Sequence, residues 1–158
     1  MNWSELEVAA PQIARLGKQR LVAARVALLG TLRKDGSPRI SPVEPYFSDD
    51  ELIFGAMSWT LKARDLRRDP RCVLHSAISQ VDSGEGELKL YGRATEADEH
   101  VVTSCEDAWW RTRPDAAVVF AFDIDQATFI GWDLVQGAVT IRRWSPRSGY
   151  SERSRSYP

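Results

Sequence analysis

Short apolar runs, several of them alternating with polar residues, recur along the chain after residue 25, and polar or turn-forming segments separate them. Runs of this length and pattern are typical of β-strands. The pair Asp35-Gly36, between the first two runs, is the strongest hairpin signal in the sequence. We therefore predict an antiparallel meander followed by further strands, with few helices. The predicted strands are residues 26–32, 39–47, 51–57, 71–78, 88–94, 118–124, 128–132 and 138–144.

Three segments have a helical pattern instead. Residues 1–25 carry a loose apolar stripe, and Ser4 with Glu7 matches the spacing of a capping box. A short helix is predicted from residue 61, with Thr60 as its N-cap and an end before Pro70, and a third over residues 96–113. The fold class is thus mainly β with flanking helices (α+β), and the strand pattern favours a small barrel.

The length of 158 residues corresponds to one compact domain. Residues 1–25 are predicted to form an N-terminal helical segment and residues 26–144 the barrel. The remainder, residues 145–158, is rich in serine and arginine and has no apolar periodicity. We predict that it is a mobile polar tail.

Charge and hydropathy exclude several classes of partner. Lys and Arg number 21 against 22 Asp and Glu, a balance that disfavours nucleic acid as the main partner. No apolar run approaches the 18 residues typical of a membrane span, so we predict no membrane partner. The first residues are acidic and show no secretory leader pattern, so we expect a cytoplasmic protein.

The chain is poor in side chains for metal or hydrolytic chemistry. Cys72 and Cys105 are too far apart in sequence to match a metal-binding motif, and His75 and His100 are the only histidines. The sequence also lacks the G-x-S-x-G pattern of a nucleophile elbow. We predict no metal site and no catalytic side chain for hydrolysis.

The segment from Ser58 to Lys62 is the most informative one. It joins a predicted strand to the start of a helix, where unpaired N–H groups and a partial positive charge attract anions. Ser58 and Thr60 add hydroxyl groups there. Lys62 lies in the first helical turn, where a cation is unfavourable unless an anion binds nearby. A phosphate site explains this lysine; a solvated surface lysine is the alternative.

The order and spacing of several motifs resemble the flavin-binding split-barrel family, which contains pyridoxamine 5′-phosphate oxidase. Later segments agree more weakly, and together the motifs cover most of the chain. The motifs are Leu29-Gly30-Thr31-Leu32, Asp35-Gly36-Ser37-Pro38-Arg39, Leu52-Ile53-Phe54-Gly55, Thr60-Leu61-Lys62-Ala63-Arg64-Asp65-Leu66 and Asp69-Pro70-Arg71. This resemblance implies an antiparallel split β-barrel and a homodimer with the cofactor between its subunits.

The resemblance also implies a cofactor and the residues that bind it. The cofactor is FMN or, alternatively, the deazaflavin coenzyme F-420. Thr60 and Lys62 correspond to the phosphate-binding positions, and the end of the third strand passes the other side of the pocket. Trp132 is the position from which a partner subunit contributes a tryptophan. The remaining implied cofactor-binding residues are Arg39, Ser41, Pro42, Val43, Ala56, Met57 and Ser58.

We therefore predict a flavin- or deazaflavin-dependent oxidoreductase that transfers hydride between its cofactor and a small organic substrate. Because Leu61 stands where pyridoxamine-type oxidases have an arginine, we do not expect pyridoxamine phosphate oxidation itself. Tyr46 and the Trp109-Trp110 pair are conceivable pocket walls, although core packing explains them as well. Two alternatives remain: a cofactor carrier without catalysis, and a haem-binding split barrel that uses one of the two histidines.

Overall fold

The computed structural model describes residues 1–48, 50–78, 80 and 84–156. The α-helices in this part of the chain are Trp3–Ala9 (α1), Pro11–Ala24 (α2), Leu61–Arg68 (α3) and Glu99–Ser104 (α4). The strands are Ala27–Leu32 (β1), Pro38–Val43 (β2), Pro45–Ser48 (β3), Glu51–Met57 (β4), Arg71–Ser76 (β5), Glu87–Glu96 (β6), Ala117–Asp133 (β7), Ala138–Ser145 (β8) and Gly149–Ser156 (β9). Two 3₁₀ turns, Trp109–Thr112 and Pro114–Ala116, precede β7.

All strand pairs are antiparallel and form one sheet in the order β2-β1-β5-β6-β7-β4-β3. The sheet curls into a split β-barrel that does not close, which confirms the predicted fold class. The split lies along β7. One edge of β7 pairs with β4 through residues 117–121 and with β8 through residues 127–133. The β8–β9 hairpin therefore continues along β7 beyond the N-terminal end of β4.

The barrel interior is filled by large apolar side chains, among them Phe54, Phe120 and Phe122. Helices α1 and α2 cover one end of it and bury Trp3 and Ile13 there. A second, smaller cluster lies on the other face of β4, where Trp110 packs against Ile53 and Val119. Both faces of β4 are therefore buried, which explains why its burial does not alternate.

The N-terminal helical segment differs from the prediction in two details. It consists of two helices, because α1 ends before Pro11, which begins α2. The capping box is formed by Asn2 and Glu5, not by Ser4 and Glu7: the Asn2 side chain accepts the Glu5 backbone N–H, and the Glu5 carboxylate accepts that of Asn2, both at 2.9 Å. Two residue pairs here fit the same spacing, and sequence spacing alone does not choose between them.

The predicted helix over residues 96–113 is wrong for most of its length. Glu96 belongs to β6, and regular helix is confined to α4. The 3₁₀ turns follow because the buried Trp110 donates its indole N–H to the Val102 carbonyl at 3.2 Å and packs edge-to-face on Tyr46. Tertiary packing of this tryptophan outweighs the local preference for a continuous helix.

The two strands predicted at 118–124 and 128–132 are one strand, β7. Tyr91 and Gly92 of β6 pair with Gln126 and Ile124, so Asp125 is the extra residue of a bulge in β7, and the strand continues through this polar stretch. Conversely, the predicted strand 39–47 is divided at Glu44 into β2 and β3.

The predicted mobile tail is corrected for residues 149–156. They form β9, which pairs with β8 along its whole length, from Ser145 opposite Gly149 to Ala138 opposite Ser156. Gly149 has a φ of +63°, which suits the reversal of the chain. Every residue of β9 is exposed, so backbone pairing rather than an apolar face holds it, and no periodicity reveals it. Residues 157 and 158 lie outside the described residues.

Candidate functional site

The junction between β4 and α3 is fixed by hydrogen bonds of its own backbone. The Ser58 N–H donates to the Ala116 carbonyl at 2.8 Å. The Thr60 N–H and hydroxyl both donate to the Met57 carbonyl, at 3.0 and 2.7 Å. Thr60 is thus the N-cap residue, but its side chain does not cap α3, and the first turn contains no acidic residue. The N-terminal N–H groups of α3 face outward without a side-chain acceptor, which is the arrangement that binds anions.

Lys62 brings a full positive charge to the same place. Its ammonium group donates to the Pro42 carbonyl at 2.7 Å, so the side chain bridges α3 and β2. Burial lowers the pKa of Lys62. Pro42 has no N–H to contribute to a ladder, and β2 is an edge strand, as the prolines in it predict. On the outer edge of β2, the Pro42 carbonyl therefore accepts a hydrogen bond from a charged side chain instead of from another strand.

Asp65 ties α3 to the sheet below it. Its buried carboxylate accepts the Arg39 Nε–H at 2.7 Å and the Thr31 hydroxyl at 3.1 Å, and Arg68 adds a further hydrogen bond. Burial opposes ionisation of this group, but the hydrogen bonds from Arg39, Arg68 and Thr31 outweigh it and lower the pKa of Asp65. The start of α3 is thereby held in a fixed position relative to β1 and β2.

Two adjoining cavities open at this junction, with Pro42, Thr60 and Lys62 in the walls of both. The first has a volume of about 280 Å³ and the second about 440 Å³, sizes typical of small-molecule sites. We call the two together the cleft. The walls of the first are completed by Val26, Val43, Glu44, Gly55, Ala56, Met57 and Trp109. Those of the second are completed by Arg33, Arg39, Ile40, Ser41, Trp59 and Leu61.

The structure brings eight of the ten predicted site residues to the cleft. They are Arg39, Ser41, Pro42, Val43, Ala56, Met57, Thr60 and Lys62. Ser58 follows the cleft residue Met57 in the sequence but lines neither cavity. Trp132 lies near the far end of β7, paired with Val139, and is not in the cleft of its own chain. A contribution from a partner subunit stays a prediction.

The cleft also contains residues that the sequence did not assign to it. Glu44 and Val26 line the first cavity and Arg33 the second. Trp109, considered only as a conceivable wall, forms one side of the first cavity and packs on Gly55, where an added β-carbon would lie 2.8 Å from the Trp109 ring. Glu44 lies between Pro42 and Pro45, and two prolines so close together indicate that the ladder is interrupted here.

Comparison with models of known protein families identifies the family that the sequence motifs resemble. A family model described as pyridoxamine 5′-phosphate oxidase matches residues 17–131, most of the chain. The chain belongs to this family. No curated protein matches the sequence significantly.

Solved structures share the fold of this family member at low sequence identity. A pyridoxamine 5′-phosphate oxidase-related, FMN-binding protein from Nostoc punctiforme is 12% identical with a TM-score of 0.60, covering 93% of this chain and 96% of that one. PhzG from Burkholderia lata, in complex with tetrahydrophenazine-1-carboxylic acid, is 13% identical with a TM-score of 0.62, covering 96% and 89%. A heme-binding protein from Mycobacterium smegmatis is 13% identical with a TM-score of 0.59, covering 90% and 88%.

The part of the chain that the structure describes offers few side chains for binding a metal or haem. Within residues 1–48, 50–78, 80 and 84–156, no group of three His, Cys, Asp or Glu side chains could hold a metal ion. In the same ranges, no helix is long and apolar enough to cross a membrane. His75 is on β5, with Nδ1 at 2.7 Å from the Ser76 carbonyl and Nε2 at 3.3 Å from the Glu87 carboxylate, and His100 is exposed on α4. Neither histidine lines the cleft.

Proposed function

We propose that this protein binds a flavin, FMN or alternatively the deazaflavin coenzyme F-420, in the cleft and uses it as an oxidoreductase acting on a small organic substrate. The observation that carries the proposal is the start of α3. Its N–H groups lack a side-chain acceptor, its first turn contains a lysine and no acid, and it opens on the cleft. Membership of the family and the FMN-binding relative from Nostoc punctiforme support the choice of cofactor.

The chain's residues fit a phosphorylated cofactor at this junction. A phosphate accepts hydrogen bonds from helix N-terminal N–H groups and is attracted by Lys62. Lys62 needs only to exchange the Pro42 carbonyl for a phosphate oxygen. Because Lys62 is partly buried, its hydrogen bond to a charged phosphate is stronger than the same bond in water. Both FMN and the deazaflavin present a phosphate, so this end of the cleft does not distinguish them.

The rest of the cleft fits a flat ring. Pro42 and Val43 form one wall, Ala56 and Met57 another, and Trp109 a third. These walls are largely apolar, as expected for a site that binds an aromatic ring system. Gly55 lets the Trp109 ring approach the end of β4.

The bound flavin supplies hydride transfer, which the side chains of the cleft do not provide. The protein's part is to fix the phosphate at α3, to hold the ring between β2 and β4, and to exclude water from one face. Asp65 and Arg39 serve this purpose indirectly, since their ion pair sets the position of α3. This division of labour agrees with the lack of a catalytic triad or metal motif in the sequence.

We further propose that the protein is a homodimer. Three large apolar side chains around the second cavity are mostly exposed: Ile40 at 72%, Trp59 at 69% and Leu61 at 54%. A cluster of exposed apolar residues beside a ligand site is typical of a protein interface. A second copy placed here covers these residues and the open side of the cleft. Native mass spectrometry at micromolar concentration should show a dimer, and Ile40→Glu should weaken it; a wild-type monomer would reject this proposal.

The cofactor proposal is tested by titrating FMN, and separately the deazaflavin, into wild-type protein and Lys62→Ala while following cofactor fluorescence. A hydrogen bond to a charged group contributes about 1.5–3 kcal/mol, so Lys62→Ala should raise the Kd roughly 10- to 100-fold. Lys34→Ala, which removes an exposed lysine from the β1–β2 turn, is the control and should leave the Kd unchanged. Equal affinity of wild-type and Lys62→Ala protein would contradict the phosphate assignment.

Two other functions are tested separately, and the haem-binding one is supported by structures of the same fold. Heme-binding relatives share the fold, so a haem titration with a search for a Soret band tests the haem-binding alternative; its ligand would have to come from His75 or His100, both outside the cleft. A cofactor carrier has the same cleft without turnover. Bound, reduced cofactor that no added substrate reoxidises would favour that alternative.

A further inference from the structure

A separate cavity of about 600 Å³ lies between the C-terminal end of α2 and strand β3. It is next to the cleft, because Val26 and Glu44 line both. Its walls combine apolar side chains with two cations, one carboxylate and a phenol. The lining residues are Lys18, Leu21, Val22, Arg25, Val26, Glu44, Pro45, Tyr46 and Phe47.

Arg25 is the unusual residue of this cavity. It follows α2 in the left-handed conformation, with φ +58° and ψ −8°, and it is the only non-glycine residue with positive φ in residues 1–48, 50–78, 80 and 84–156. Glycine is the preferred residue at such a helix end, since a side chain there is strained by about 1–3 kcal/mol. Strain of this kind is found where a side chain is needed for function.

The guanidinium group of Arg25 is available for a ligand. Within the part of the chain that the structure describes, it makes no hydrogen bond and no ion pair, although Tyr46 is close enough to feel its charge. The other cation, Lys18, already has partners: its ammonium group lies 3.6 Å from the Glu7 carboxylate and 4.9 Å from the centre of the Phe47 ring.

Glu44 contributes the carboxylate of this cavity. Its carboxylate accepts the Tyr46 hydroxyl at 3.1 Å, and it makes no ion pair with Arg25 within the described ranges. The cavity therefore contains a cation without an ion-pair partner among the described residues, a hydrogen-bond acceptor at its border with the cleft, and apolar wall residues. A ligand that fits carries an anionic group, an apolar body and an O–H or N–H group.

We propose that this cavity is the substrate subsite: it binds a hydroxy- or amino-substituted carboxylic acid, with the carboxylate on Arg25 and the donor group on Glu44. The inference rests on the proposed function, because the cleft next to Glu44 is where the flavin ring is proposed to lie. It specifies the class of substrate, which the cofactor alone does not. Both charged groups are supplied by this chain, one from the end of α2 and one from the link between β2 and β3.

The first experiment compares small probes by ¹H–¹⁵N NMR with protein free of cofactor. The probes are 4-hydroxybenzoate, benzoate and 4-hydroxybenzamide, which differ in the donor group and in the charge. We expect 4-hydroxybenzoate to shift the signals of Arg25 and its neighbours, and to bind several-fold more tightly than either of the other two. Equal binding of the uncharged amide, or shifts confined to other regions, would overturn the proposal.

The second experiment uses variants. Arg25→Gly removes the charge and relieves the left-handed strain, so it should keep or raise the stability of the protein while raising the Kd for 4-hydroxybenzoate about fivefold to tenfold. Glu44→Gln should reduce the preference for the hydroxylated probe over benzoate. Arg15→Ala, an exposed arginine of α2 outside the cavity, is the matched control and should change nothing. Unchanged probe affinity in Arg25→Gly would refute the assignment.

A flavin titration of the same variants separates this inference from the proposed function. Arg25→Gly should bind FMN like wild-type protein, since Arg25 lines neither cavity of the cleft. Loss of probe binding with intact FMN binding supports the subsite. Absence of FMN binding in wild-type protein, together with specific probe binding, would overturn the proposed function and leave the carboxylate site standing.

Discussion

The ion pair beneath α3 allows a quantitative test of how the site is held. Asp65→Asn keeps the shape of the side chain but removes its charge and turns one acceptor atom into a donor. The Asp65 side chain is 5% exposed, whereas Arg39 is 19% and Arg68 37% exposed. Breaking a fully buried pair costs about 3–5 kcal/mol. Because both arginines reach some water, we expect a smaller loss of about 1.5–3 kcal/mol, the range for hydrogen bonds to charged groups.

The pH dependence of this loss has a definite sign. The pKa of Asp65 is lowered in the folded protein, so its contribution is complete above the unfolded-state pKa of about 3.9 and disappears as the pH falls through the folded-state pKa. Urea unfolding followed by tryptophan fluorescence should show the full difference between wild-type protein and Asp65→Asn at pH 7 and a smaller one below pH of about 4.

Two further variants make the test specific. The pair Arg67–Glu96, at 2.6 Å, also involves α3, but its side chains are 43% and 53% exposed, so Glu96→Gln should cost at most about 1 kcal/mol. A double-mutant cycle of Asp65→Asn with Arg39→Met should give a coupling energy of about 1 kcal/mol or more. A loss below about 0.5 kcal/mol in Asp65→Asn, or an equal loss at all pH values, would refute the reasoning.

Three more predictions concern other parts of the molecule. Gly55→Ala should destabilise the protein by about 1–3 kcal/mol and shift its tryptophan emission, because the new β-carbon would lie 2.5 Å from the Trp110 ring; an unchanged urea midpoint and spectrum would speak against this packing. Burial raises the pKa of the Cys72 thiol to about 12, so iodoacetamide at pH 8 should modify Cys72 only after unfolding, as peptide mass spectrometry can check; rapid labelling of folded protein would contradict it. Asn2→Ala should cost about 1 kcal/mol in urea unfolding through loss of the capping box, and an unaltered stability would show that α1 does not depend on it.

Local sequence signals were sufficient for the parts of the fold that depend on neighbouring residues. Asp35-Gly36 predicted the turn between β1 and β2, where Gly36 has a φ of +82°. Thr60 and Pro70 mark the two ends of α3, and a lysine in its first turn indicates an anion site at the place where the structure has the cleft. In each case the physical cause lies within a few residues of the signal.

The sequence predictions were wrong where contacts between distant parts of the chain determine the local structure. The continuity of β7 across the bulge at Asp125 depends on pairing with β6, about thirty residues earlier in the sequence, and the short 3₁₀ turns depend on where the Trp110 ring is buried. Strand β9 has no apolar face and exists through its pairing with β8. The two charged groups of the proposed subsite, Arg25 and Glu44, were also not predictable, since nothing in the sequence places them in one cavity.

The split along β7 leaves part of one strand edge between β4 and β8, from residue 122 to residue 126, without a neighbouring strand. Within this gap, the Ile124 N–H donates to the Met1 carbonyl at 2.7 Å. Met1, two residues before α1, thus covers part of a strand edge that could otherwise pair with a strand of another molecule. Truncated variants that lack Met1 and α1 should consequently aggregate on storage, even where the barrel itself stays intact.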